Sequence, residues 1–227
     1  MRHLLSFICA ALLLLSAPVL AQNPTTAHYD LLFRNGTLDD IPRDDHLTYT
    51  RAVINTLEPD TQDRDTGQIE LSFDKGEAEG DPLRAHLKFI QGEKYRNLGQ
   101  FPASVGNPII LYFVETVVRD MAETAGGSPF YIRNRIKESL VEPAETKDSD
   151  LTIAGNTVSG QSVILRPFEG DPNSDKMKGF GDLSLEVTMS EDVPGWYHTL
   201  RAYVPGAKDS DPIYSSTLTF DRQGDVE

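Results

Sequence analysis

The stretch Asn107-Pro108-Ile109-Ile110-Leu111-Tyr112-Phe113-Val114-Glu115-Thr116-Val117-Val118-Arg119-Asp120-Met121-Ala122-Glu123-Thr124-Ala125-Gly126-Gly127 decides how the chain is organised. Asn107 is a good N-cap and Pro108 suits a first helical position. No breaker follows before Gly126-Gly127, so the spacing predicts one helix over 109–125. Ser128-Pro129 repeats the same start, predicting a second helix through about Leu140 that ends before Pro143. In the first helix Ile110, Phe113, Val114, Val117, Val118 and Met121 form a broad apolar stripe, while Glu115 and Arg119 pair at i,i+4 on a polar side. The turns from Ile109 to Val114 are apolar all round, which implies burial on more than one side.

Outward from this helical pair, in both directions, the period changes to two. Before it, apolar residues alternate at Tyr29, Leu31, Phe33; at Leu47, Tyr49, Val53; at Ile69, Leu71, Phe73; and at Leu83, Ala85, Leu87, Phe89. The outward residues Gln68, Glu70, Ser72 and Arg84, His86, Lys88 carry opposite signs, as neighbouring strands joined across 74–82 would. After it come Leu151 and Ile153, a run from Val158 to Leu165, then Leu183 to Met189, Trp196 to Val204, and Tyr214, Leu218, Phe220. Glu58–Gly67 and Glu142–Asp150 read as polar loops. Strands, a helical pair, then strands predict an α+β domain: a curved, half-barrel-like antiparallel β-sheet of about nine strands packed against a central helical pair inserted at about 107–141.

The first 21 residues read as a secretory signal peptide. Arg2 and His3 form a short charged region, Leu4 to Leu15 an apolar run, and Ser16 to Ala21 supply small residues for cleavage after Ala21. The single α+β domain is then 22–227, and no other segment is apolar enough to span a bilayer. The only cysteine, Cys9, leaves with the signal peptide, so disulfides, thiol nucleophiles and zinc-thiolate sites are excluded from the exported chain. A secreted, cysteine-free domain of this size points to the bacterial periplasm. With 21 Lys plus Arg against 35 Asp plus Glu and a formal charge of −14, a nucleic-acid partner or an electrostatic hold on anionic membranes is argued against.

The candidate chemical sites have bland explanations. Asp171 to Asp182 places oxygen ligands at several calcium-loop positions, but Lys176 stands where the turn needs Gly and Asp182 where a bidentate Glu belongs. Glu58, Asp60, Asp63 and Asp65 have no calcium spacing. Asp44-Asp45-His46 beside Asp39 and Asp40 reads as a turn entering a strand; His86 reads as solvated and His198 as a packing residue. Gly160-Gln161-Ser162 begins a nucleophile elbow and fails at Ile164. No catalytic residue, metal site or cofactor is assigned.

This order resembles the half-barrel of bacterial periplasmic lipoprotein-sorting carriers, in which a curved antiparallel sheet wraps helices around an apolar cavity. The resemblance rests on the signal peptide, the strand meanders and the apolar helix from Pro108 to Ala125, and it carries over no functional residue. It implies a carrier of acyl chains or other apolar ligands. On the residues themselves, the first expectation is a non-enzymatic periplasmic carrier for a lipid or other apolar or amphipathic ligand. Ile110, Phe113, Val114, Val117 and Met121 would line its cavity, and Arg133 and Arg135 on the second helix would meet an anionic head group. An assembly module with a filled core and a periplasmic protein partner is the alternative. A hydrolase or metal enzyme, with His46, Asp44 and Asp45 converging in a cleft, comes third.

Overall fold

The structure is a computed structural model and describes residues 24–74, 83–207 and 211–225. The segment read as a signal peptide, with Cys9, and the connector at 75–82 lie outside the described residues. Helix α1 (Pro24–Leu32) precedes β1 (Asp45–Asn55), the short helix α2 (Asp60–Asp65), β2 (Gly67–Asp74), β3 (Arg84–Gln91) and β4 (Lys94–Pro102). Helices α3 (Ile109–Ala125) and α4 (Pro129–Ser139) follow. Then come β5 (Glu145–Ile153), β6 (Asn156–Leu165), β7 (Ser184–Met189), β8 (Tyr197–Val204) and β9 (Tyr214–Asp225).

All nine strands form one antiparallel sheet in the order β4-β3-β2-β1-β9-β8-β7-β6-β5. Two meanders, one from each side of the helical pair, meet where β1 joins β9. This is the α+β half-barrel the sequence predicts. The expected charge match is present: Glu70 lies opposite Lys88, and Lys88 Nζ donates to Glu70 Oε1 at 3.3 Å. Register shifts between Thr48 and Tyr49, Leu87 and Lys88, and Thr188 and Met189 mark irregularities at which an antiparallel sheet can bend.

The helices cover one face. α3 starts where expected because Asn107 Oδ1 accepts from the Ile109 N–H at 3.0 Å, and it stops at Gly126 and Gly127, both at positive φ. The other polar groups of Asn107 are also used. Its N–H donates to Thr37 Oγ1, and Nδ2 donates to Tyr49 Oη and to the Gly195 carbonyl, each at 2.8 Å. Gly195 has to be glycine: a Cβ there would stand 2.5 Å from Leu47 Cδ1, and its φ is +76°.

Three sequence expectations are corrected. Tyr29, Leu31 and Phe33 do not form a strand; 24–32 is helix α1. Tyr29 and Phe33 alternate with Leu31, yet they are also spaced i,i+4, and their rings stack at 4.9 Å while His28 and Leu32 are buried one turn apart. The count of nine is restored by β4, whose residues give little alternation. The polar stretch from Glu145 to Asp150 is the outer part of edge strand β5 rather than a loop. Its exposed charges suit an edge that must not pair with another chain.

An apolar groove and an arginine at its rim

α3 is fixed to the sheet by charge as well as by packing. Arg51 on β1 is fully buried. Its Nη2 donates to Asp120 Oδ2 at 3.0 Å, its Nη1 to Tyr112 Oη at 3.3 Å, and Asp65 Oδ1 lies 3.8 Å away. Tyr214 Oη donates to the same Asp120 oxygen at 2.7 Å. Arg119 reaches Asp120 and Asp65 at 2.6 and 3.1 Å, and Arg64 joins Asp65 to Glu123. Burial alone would raise the Asp65 carboxyl; the Arg64 hydrogen bond and the charges of Arg119 and Arg51 outweigh it and hold it below its ordinary value. Burial pushes the Tyr214 hydroxyl well up, and the negative charge of Asp120 adds to that. Three cations and three carboxylates therefore balance where β1, α2, α3 and β9 meet.

The acidic stretch at 58–65, expected as a loop, instead forms helix α2 over Asp60–Asp65 and supplies part of this cluster through Asp65. A readable signal pointed to it: Arg51 has the same parity as Leu47, Tyr49 and Val53, so it must face inward with them. On α3, Asp120 follows Val117 by three residues and so shares its buried face.

The opening on this face is a groove of about 360 Å³ at the start of α3, within the range of small-ligand sites. Its walls come from three separate stretches of the chain. Tyr29 on α1 and Phe33 just after it form one side; β4 contributes Phe101, the turn into α3 contributes Val105, Gly106, Asn107 and Pro108, and α3 contributes Ile110 and Leu111, with Tyr197 behind. Arg34 and Asn35 complete the lining, and Arg34 is its one charged residue. Val105 and Leu111 are 57% and 45% exposed, so the apolar wall is open to solvent on that side.

α1 is held over the start of β8 by two hydrogen bonds. Trp196 Nε1 donates to the Leu31 carbonyl at 3.0 Å and the Tyr197 hydroxyl to the Leu32 carbonyl. Trp196 adopts φ +81°, a costly conformation for a large side chain, which the surrounding hydrogen bonds maintain. The Arg34 guanidinium stacks on the Trp196 ring at 4.4 Å, and its Nη1 donates to Glu191 at 2.9 Å. On the far side of Arg34 lie two polar clefts of about 470 and 550 Å³. The first is flanked by Asp40, Glu191 and Asp192, and the second by Asp148, Asp150 and Glu191.

The residues expected to bind ligand are dispersed. Ile110 borders the groove although it is itself buried in the core cluster, Phe113, Val117 and Met121 belong to that cluster alone, and Val114 packs half-buried against it. The reason is geometric: the stripe on α3 faces the sheet along its length, and the gap is at the helix end. Arg133 is bonded twice to Glu115, and Arg135 pairs with Glu138 and Asp171, so the two arginines expected at an anionic head group are already partnered by carboxylates. Asp171 accepts from Tyr131 Oη at 2.6 Å and docks α4, which gives the acidic stretch at 171–182 a packing role.

His28 is buried against the Leu140 carbonyl, and His86, expected in solvent, pairs with Asp74. Asp45 accepts from Gln223. Among the described residues no three His, Cys, Asp or Glu side chains gather as metal ligands, and no helix is long and apolar enough to cross a membrane.

No family model and no curated protein sequence matches the chain. Among solved structures the chain is similar in architecture to the lipoprotein LppX of Mycobacterium tuberculosis, with a TM-score of 0.34 and 10% identity over 78% of this chain and 84% of that one.

Proposed function

We propose that this chain is an exported, periplasmic binding or carrier protein that takes the apolar part of an amphipathic ligand into the groove at the start of α3. One observation carries the reading: mainly apolar side chains from three stretches far apart in the sequence, 29–35, 101–111 and Tyr197, converge on an open gap beside the core. The groove sits at one end of the helix where the sequence suggested its whole length, so Ile110 is retained from the expected set and joined by Tyr29, Phe33, Val105 and Leu111.

Val105 tests this cleanly, because it is exposed and lies in a turn of three residues outside the core. Val105→Trp should fill the groove and weaken dodecanol binding at least about tenfold, the loss of one well-buried apolar contact region, while the melting temperature stays put. Unchanged affinity, measured by calorimetric titration, would sink the reading.

A protein-docking role is favoured by one other observation, Phe130 at the start of α4, which is 76% exposed. Phe130→Ser separates the two, since it leaves dodecanol binding intact if the groove is the site.

A further inference from the structure

Resting on the groove as the binding site, we infer that Arg34 is the head-group anchor and that the ligand class is a long-chain monocarboxylate. Arg34 is the one charged residue of the groove's lining, which holds no carboxylate, and its guanidinium lies at the rim, against Trp196 and Glu191 of the adjoining clefts. The Arg34 guanidinium carbon lies over the Trp196 ring at 4.4 Å from its centroid, a cation–π contact that holds the group beside the ring. Among the described residues the only hydrogen bond from the guanidinium goes to Glu191, in a pair whose side chains are 45% and 78% exposed. Such a pair contributes little, so an incoming carboxylate can exchange with Glu191 at small cost and gain a forked, charge-assisted contact.

The charge of the head group is limited by the surroundings. Beyond Arg34 stand Asp40, Glu191 and Asp192 in one cleft and Asp148 and Asp150 in the other. A head group that extends past the guanidinium meets these carboxylates, and a doubly charged phosphate is repelled more strongly than a single carboxylate. Arg34 also borders both clefts and the groove, so it stands where the apolar chain ends and the polar surface begins.

The test compares dodecanoate, dodecyl phosphate and dodecanol, titrated at pH 7.5 into the wild-type chain, Arg34→Gln and Glu191→Gln. The wild type should bind dodecanoate about tenfold more tightly than dodecanol, the gain of one charge-assisted contact, and more tightly than dodecyl phosphate. Arg34→Gln should bring dodecanoate down to the dodecanol affinity and leave dodecanol unchanged. Glu191→Gln should tighten dodecanoate, because the competing carboxylate is gone, and leave dodecanol alone. Three results overturn the inference while the groove stands: equal loss of both probes in Arg34→Gln, no loss in either, or tighter binding of the phosphate. If dodecanol and dodecanoate both fail to bind the wild type, the groove reading itself falls and the head-group inference falls with it.

Discussion

Arg51→Met should destabilise the fold by about 3 kcal/mol or more, the cost of leaving buried carboxylates without their partner. The guanidinium is fully buried and is the group common to Asp120, Asp65 and Tyr112, so its loss exposes two anions to a low-dielectric interior. Arg119 and Arg64 remain beside them, which sets the expectation at the lower end of the range for a broken buried pair. Arg133→Met provides the contrast. Its partner Glu115 is 55% exposed, and the change should stay within about 1 kcal/mol. Urea unfolding of the two variants reads the difference, and equal midpoints would mean that water reaches the cluster around Arg51.

The second large effect is expected at Phe113. Its ring is 1% exposed and belongs to the core between α3 and the sheet, so Phe113→Ala should cost about 3–5 kcal/mol through lost burial and the cavity left behind. Leu111, two residues away on the same helix, is 45% exposed, and Leu111→Ala should change stability by less than about 1 kcal/mol while weakening apolar-ligand binding. This pair separates core from site along one helix. A hollow interior beneath α3 would make Phe113→Ala cheap and would move the binding role back to the middle of the helix.

The legible and the hidden parts of this sequence differ for physical reasons. α3 could be read to the residue because its boundaries are set by local chemistry: the Asn107 cap, Pro108, and two glycines at positive φ. β2 and β3 were equally plain, since one of their faces is apolar and the other charged. Tyr29 to Phe33 misled because five residues satisfy both a period of two and an i,i+4 spacing, and the choice is made by what His28 and Leu32 find to pack against. β4 stayed hidden because its bulge near Leu98 and Gly99 breaks the alternation, and β5 because its outer residues face solvent on both sides.

The candidate site was the least legible part. The groove is assembled from the end of α1 and the residues after it, the stretch from Phe101 through the turn at 105–108 to the start of α3, and the start of β8, and none of these contributes a motif. Of the seven residues picked out from the helical pair, Ile110 alone lines it, because an apolar stripe on a helix signals burial without saying whether protein or ligand does the burying. Arg34 offers no sequence signal of its own; its place depends on Trp196, some 160 positions away, in a backbone conformation that the sequence does not announce.

The central claim, that ligand enters the groove at the start of α3, is tested most directly by methyl NMR of the protein titrated with a spin-labelled long-chain fatty acid. The account predicts saturable broadening of the Val105, Ile110 and Leu111 methyls, with Val117, Val163 and Leu185 in the core left sharp. Broadening of the core methyls first would place the ligand beneath α3 and contradict it, as would spectra that do not respond at all.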